Sequence, residues 1–324
     1  MYQTVLPPEA AVGYILRHNI ADAHGHKALP KGRRLTSDDI ATLHQLGVVA
    51  VHVAVFEPGD IHEDESARRV AVALCGANVA TTAPAASRVN AIAATQGIAA
   101  IDVDGLLQAN SIDGITIATR PNHSRIDARQ RVATIKIIPF ALPEAALAQI
   151  EALGAARGPV IALRPLQPHL VGIVLVGSEA ARTRITHGVH PAIEGRIVAL
   201  GSTVLETRYV APDEASIATA LQATLALGAQ LVIIAGETSI MDRDDVTPRA
   251  VRMAGGGVEH YGAPVEPGNL LLMAYSAEGV ALLGAPGCVR SRDTNIVDLV
   301  LPRLLAGEHI TKAEIIALGH GGLL

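Results

Sequence analysis

Three carboxylates, Asp242, Asp244 and Asp245, follow directly on a small polar run, Gly236, Glu237, Thr238 and Ser239. That combination has a definite chemistry. Glycine lets backbone N–H groups approach an oxyanion closely, and the hydroxyls of Thr238 and Ser239 add donors. Carboxylates beside such a cradle can hold a divalent cation, and Mg²⁺ takes oxygen ligands together with phosphate. The residues therefore imply an anion loop served by a cation. Asp242 and Asp244 are the candidate metal ligands, and all three aspartates are candidate catalytic groups.

The elements around the loop must position it. Leu231 to Ala235 is an apolar run that reads as a buried strand. Thr247 and Pro248 read as a helix N-cap followed by proline at the first helical position, giving a helix from Pro248 to Met253. A helix start there offers free N–H groups and positive dipole to an anion. Two further loops have the same character. Val171 to Val176 ends in Gly177, Ser178 and Glu179, and Val280 to Leu283 ends in Gly284, Ala285, Pro286 and Gly287. One glycine after a strand is usually only a turn. Three such loops in one parallel sheet, one of them dense in carboxylates, point to a site.

From Val160 onward strands and helices alternate: Val171 to Val176, Pro191 to Leu200, Thr203 to Val210, then a helix capped by Asp213 and closed by Gly228. A strand pair follows at Leu270 to Tyr275 and Val280 to Leu283, and a helix bent near Pro302 spans Ile296 to Leu305. Such alternation implies an α/β fold with a doubly wound, mostly parallel sheet over residues 159–324, whose ligands sit outside the carboxyl ends of the strands. Residues 1–158 read as a mixed α+β region of one or two subdomains. In it, Ala11 to Ile20 is expected to form a short helix, Thr36 to cap a helix through Leu46, and Glu63 to Leu74 to form another. The glycines at 255–257 and 319–322 read as loops.

Composition narrows the partners. Of 324 residues 49% are hydrophobic and 2% aromatic, with no Trp, so the cores are built from Ala, Val, Ile and Leu, as in sheets covered by helices. Few aromatics and a net charge of −5 argue against nucleic acid as a partner. No apolar run reaches the roughly 20 residues of a membrane span, and the N-terminus lacks a basic segment followed by an apolar core. Two cysteines, Cys75 and Cys288, make no disulfide framework, which fits a reduced, cytoplasmic setting. Cys288 reads first as a small buried hydrophobe. His24 and His26 near Asp22 read as a polar loop, because no second ligand pair follows.

These residues carry a resemblance. The C-terminal half resembles the molybdopterin-binding domain of molybdenum-cofactor biosynthesis proteins, the fold of molybdopterin adenylyltransferases, molybdopterin molybdenumtransferases and gephyrin-like proteins. Ser239 to Asp244 is similar to the transferase signature Ser-Val-Gly-Asp-Tyr-Asp. Asp245 to Pro248 is similar to the Asp-Val-Thr-Pro of the adenylyltransferases. Gly177 to Glu179 stands where the family has Gly-Asp-Glu, Asp213 matches an acidic turn, and Gly284 to Gly287 is similar to a Leu-Pro-Gly turn. In the N-terminal half, Glu9 to Leu16 and Lys31 to Val55 are similar to transferase segments. The departures are Ala235 in the family's Gly-Gly pair, an extra residue with acidic Glu237, and Cys288 after the Pro-Gly turn. The sequence also leaves no length for the transferase's C-terminal β domain.

The resemblance implies a molybdopterin ligand, free or adenylylated, with Mg²⁺ and molybdate. It implies cofactor contacts from Gly177, Ser178, Glu179, Asp213, Gly236, Glu237, Thr238, Ser239, Gly284, Pro286 and Gly287. It further implies a homo-oligomer and a molybdoenzyme or cofactor-maturation partner. Two functions follow. One is a molybdenumtransferase-like transferase that assists molybdate insertion; the other is a non-catalytic carrier of molybdopterin for a molybdoenzyme. A third reading borrows from the competence-damage-inducible relatives of the fold, which act on nucleotide phosphates; no Gly-x-x-x-x-Gly-Lys loop supports it.

Overall fold

The computed structural model describes all 324 residues. The chain divides into two compact units, Met1–Thr95 with Ala99–Arg164, and Gln96–Ile98 with Pro165–Leu324. No helix is long and apolar enough to cross a membrane.

The first unit has two apolar cores. One gathers Leu16, Leu35, Leu43 and Val53. A helix over Ser37–Gln45 covers it, started by a capping box in which Thr36 and Asp39 satisfy each other's backbone N–H groups. The expected helix over Ala11 to Ile20 is not formed. Pro8–Ala11 is a single 3₁₀ turn, and Ile15–Leu16 and Ile20–Ala21 are short strands. Gly13 explains the break: it sits at φ +88°, a left-handed conformation that ends helical propagation. The second core gathers Leu74, Ile135, Leu147 and Ile161. Its helices Glu63–Leu74 and Glu144–Arg157 pack together, and Arg69 reaches Glu144 at 2.7 Å and Glu151 at 2.8 Å. Gly154 permits the close approach, since a Cβ there would lie 2.3 Å from the Ala73 carbonyl oxygen.

Asp102 caps the helix Val103–Asn110, and Arg157 bonds it at 2.6 Å. That guanidinium, with the Gly105 N–H, holds the Asp102 carboxyl down to about 2. A depressed carboxylate stabilises the fold above the unfolded value near 3.9 and ceases to do so as pH falls through the folded value. The expected result is a loss of about 1 kcal/mol from this unit between about pH 4 and pH 2, limited by solvent screening of a partly exposed pair. An Asp102→Asn protein should show a flatter acid limb in urea titrations. An identical limb would refute the assignment.

The second unit is built on six strands: β1 Leu170–Val176, β2 Thr203–Val210, β3 Leu231–Gly236, β4 Gly257–Tyr261, β5 Leu272–Tyr275 and β6 Ala281–Gly284. Their order is β2-β1-β3-β6-β5-β4. The first four run parallel; β5 is antiparallel to β6, and β4, antiparallel to β5, returns to the direction of the first four. The mostly parallel α/β sheet expected from the alternation is the observed fold. Side chains alternate between two cores, as the strand period requires. Val171, Ile173 and Leu175 join one face with α2 (His190–Ala199) and α5 (Ile296–Leu305). Val174 and Val176 join the other with α3 (Glu214–Ala226) and α4 (Val246–Met253). A short helix α1, Arg182–Gly188, follows β1, and α6, Lys312–Ala317, lies near the chain end. Gly257, expected in a loop, opens β4 instead.

Candidate functional site

The carboxyl ends of β1, β3 and β6 surround a cavity of about 220 Å³. Its walls are Val176, Ile234 and Ala285 from the strand ends, Gly236 to Ile240 from the loop after β3, Asp245 to Thr247 from the start of α4, and Pro212. This is the place a parallel sheet offers a ligand. The strands terminate there, and the loops that follow are free to line a crevice.

Each loop is held by identifiable bonds. Gly177 leaves room for two neighbours: a Cβ would lie 2.5 Å from Tyr209 Oη and 2.6 Å from Ile185 Cδ1, so one of them would have to shift. Ser178, next in the chain, donates its N–H to Glu237 Oε2 at 3.0 Å and its hydroxyl to the same oxygen at 2.8 Å. Arg184 in α1 donates to Glu237 Oε1 at 3.2 Å. Tyr209 at the end of β2 donates its hydroxyl to the Ser178 carbonyl at 2.7 Å, and the Arg182 guanidinium stacks 4.3 Å over its ring. The Ser178 N–H and hydroxyl, with Arg184 behind them, hold the Glu237 carboxyl below its usual range. Burial, and then the negative Glu237, push the Tyr209 phenol up.

The third loop closes from β6. A Cβ on Gly284 would lie 2.8 Å from Ile240 Cδ1, and one on Gly287 3.1 Å from Ser239 Oγ. The three glycine loops singled out by sequence therefore converge around one crevice. Gly236, Glu237, Thr238, Ser239 and Asp245 line the cavity itself. Gly177, Ser178, Gly284 and Gly287 sit one contact behind it.

Other expected residues stand elsewhere. Glu179 is 79% exposed and bonds Arg182. Asp213 caps α3 through the Ser216 N–H, although its neighbour Pro212 lines the cavity. Asp242 accepts the Asp244 N–H at 2.7 Å, and Asp244, 80% exposed, pairs with Arg252 at 3.3 Å. Neither is in the cavity wall. Arg249, in α4, pairs with Glu214 at 2.9 Å. Pro286 leads into a 3₁₀ turn, Gly287–Arg290. Burial raises the Cys288 thiol, as befits a small apolar side chain.

The helix start differs from expectation. Asp245, not Thr247, is the N-cap of α4, so Pro248 stands third in the helix rather than first. The Asp245 carboxylate accepts the N–H of Met241 at 2.8 Å and of Val246 at 2.6 Å, a stronger bridge than the Thr247 hydroxyl could make. Pro248 has no N–H, and the Arg249 N–H bonds the Asp245 carbonyl. Thr247 is thus the first-turn residue whose N–H stays uncommitted.

Two phenols complete the surroundings of the crevice without a motif to mark them. Tyr209 buttresses Ser178, and Tyr261 on β4 donates to the Ile240 carbonyl at 2.6 Å. Burial, then Asp242 and Asp245, raise the Tyr261 phenol, which marks its closeness to the acidic loop. In a chain with five tyrosines, two at strand ends beside the candidate loops were the available signal. No three His, Cys, Asp or Glu side chains gather as a metal cluster. Any cation here would take its remaining ligands from water and from the bound anion, as Mg²⁺ commonly does.

The crevice lies within a stretch that is similar to a known family. Residues 172–306 match the family model of the probable molybdopterin binding domain. The resemblance read from Ser239 to Asp244 and from the flanking glycine loops is borne out by that match. Ahead of that stretch, residues 5–55 match a domain of unknown function. No curated protein matches the chain. Among solved structures, a molybdenum cofactor biosynthesis protein from Pyrococcus furiosus is 12% identical, covering 98% of this chain at a TM-score of 0.25. The chain spans 65% of that structure's length. The molybdopterin biosynthesis moea protein from Pyrococcus horikosii is 15% identical over 94% of this chain and 75% of its own, with a TM-score of 0.33. The tungsten cofactor synthesizing protein MoaB from Pyrococcus furiosus is 16% identical over 42% of this chain and 91% of its own, with a TM-score of 0.30.

Proposed function

We propose that the C-terminal unit binds molybdopterin at the crevice above β1, β3 and β6, and that the protein serves molybdenum cofactor biosynthesis by assisting Mg²⁺-dependent insertion of molybdate. The observation that carries this reading is the convergence of the Gly177, Gly236 and Gly284 loops around a cavity within the matched domain. Its volume, about 220 Å³, is below the roughly 300–1,000 Å³ that enclose a whole small ligand. It therefore suits one end of an elongated molecule, and its polar wall of Thr238, Ser239 and the Thr247 N–H suits a terminal phosphate.

Molybdopterin would supply the dithiolene sulfurs that take the metal. The chain's own residues bind and orient. Thr238 and Ser239 donate to the phosphate end, and the loop from Gly284 to Gly287 walls the other side. Asp242 and Asp244 are the expected Mg²⁺ ligands, with Asp245 fixing the loop between them and α4. Such a site accelerates insertion by positioning and charge neutralisation, without a covalent step.

The second reading is a carrier that holds molybdopterin for a molybdoenzyme without turning over. The engagement of Asp242 and Asp245 in backbone bonds favours it. Turnover separates the two. Purified protein with molybdopterin, molybdate and Mg²⁺ should yield many loaded cofactors per chain if it is an enzyme, and at most one equivalent if it is a carrier. In the enzyme case, an Asp242→Ala/Asp244→Ala protein should insert molybdate at least about tenfold more slowly. Insertion at the unaltered rate would sink the metal-ligand assignment.

A further inference from the structure

A carboxylate is itself an oxyanion, and Glu237 behaves as a bound one. Its Oε2 takes both the N–H and the hydroxyl of Ser178, and its Oε1 takes the Arg184 guanidinium. Two hydrogen-bond donors on one residue and a cation across from them are what a phosphate oxygen asks of a protein. The Ser178 carbonyl accepts in turn from the Tyr209 hydroxyl, which restrains the backbone that carries these donors. The Glu237 backbone is also fixed, its N–H bonded to the Val176 carbonyl at 2.7 Å. Its side chain is 31% exposed at the cavity wall.

We propose that Glu237 is a built-in occupant of an oxyanion subsite beside the cavity, and that the ligand's phosphate monoester, received first by Thr238 and Ser239 in the cavity, must displace it from Ser178 and Arg184 behind the wall. This deepens the molybdopterin reading and rests on the phosphate end entering this cavity. The exchange also selects. A monoanionic carboxylate that displaces Glu237 swaps like for like and gains nothing. A dianionic phosphate gains charge against Arg184, so the site admits dianions in preference to monoanions. Once displaced, the Glu237 carboxylate is free toward solvent beside the acidic loop.

The test uses inorganic phosphate as probe on the full chain, with binding followed by calorimetry. Glu237→Ala should bind phosphate at least about tenfold more tightly than the unaltered protein, since the internal competitor and its charge are gone. Glu237→Gln, which keeps the shape, should fall between the two. Adding Arg184→Ala to Glu237→Ala should abolish the gain. Acetate should bind the unaltered protein no better than background. Equal phosphate affinity in Glu237→Gln and the unaltered protein, both melting at the same temperature, would overturn the proposal. So would a gain that survives Arg184→Ala. The readout needs no pterin. If phosphate binding rises but molybdopterin does not bind, the ligand reading fails and the displaced carboxylate stands; the converse result removes the carboxylate and leaves the ligand.

Discussion

An Arg303→Ala protein should lose about 3–5 kcal/mol of stability in its C-terminal unit, the cost of breaking a buried ion pair from one side. Arg303 lies in α5 with 2% of its side chain exposed. Its guanidinium holds Glu308, 5% exposed, at 2.5 Å through Nε, and Glu314 at 2.5 Å through Nη2. Glu314 in turn completes the capping box of α6 with Thr311. The cation therefore ties three things: the end of α5, the turn after it, and the first turn of α6. Removing it leaves two carboxylates in a space built for the cation they shared, and α6 loses its anchor against α5. Arg303→Met keeps the aliphatic packing and should cost less by about 1–2 kcal/mol. Urea unfolding checks both. A loss under about 1 kcal/mol for the alanine variant would mean that the pair is solvated in solution. The crevice lies at the other end of the strands, so ligand binding below the transition should be unaltered.

The parts of this fold that sequence could show are those set by local period and local caps. Val171 to Val176, apart from Gly172, and Leu231 to Ala235 are apolar throughout, as a strand buried on both faces requires, and they lie side by side at the centre of the parallel sheet. Asp213 and Gly228 mark α3 because an N-cap and a left-handed C-terminal glycine are single-residue effects. α4 starts two residues ahead of the Thr247-Pro248 signal for a physical reason. Thr247-Pro248 is a good start in isolation, but the Asp245 carboxylate reaches back to the Met241 N–H, a loop bond that no propensity contains. The first unit was hard to read because its strands are short, many of them two or three residues, too few for a period to emerge. In the crevice, the three glycine loops share one end of the sheet because their strands run parallel, which alternation implies. Alternation does not imply the partner of Glu237: Ser178 is 59 positions away, and only the parallel pairing of β1 with β3 brings the two loops together.

Gly177→Val should weaken molybdopterin binding by at least about 100-fold, some 2.7 kcal/mol, while leaving the domain folded. The position closes β1, and its missing side chain is space used by two others. A Cβ would lie 2.5 Å from Tyr209 Oη and 2.6 Å from Ile185 Cδ1, both inside contact distance, before valine's methyl groups are counted. The Ile185 side chain is 1% exposed in the core and has nowhere to go. Tyr209 would be pushed from the Ser178 carbonyl, and with it would go the fixed orientation of the Ser178 N–H and hydroxyl toward the cavity wall. Overpacking of this kind costs about 1–3 kcal/mol of stability, which a unit of this size can absorb. Gly177→Ala should show the same pattern more weakly. The measurement is a molybdopterin titration of the variant beside its melting curve and far-ultraviolet circular dichroism. Unaltered affinity in a folded Gly177→Val protein would remove the loop after β1 from the site. A loss of affinity that tracks unfolding would demand the Gly177→Ala comparison, where the same loss in a protein of unaltered stability isolates the effect on the donors. The distinction matters because Tyr209 and Ile185 belong to β2 and α1, neither of which lines the cavity. Their packing against one glycine is how the edge of the sheet comes to control the geometry at its centre.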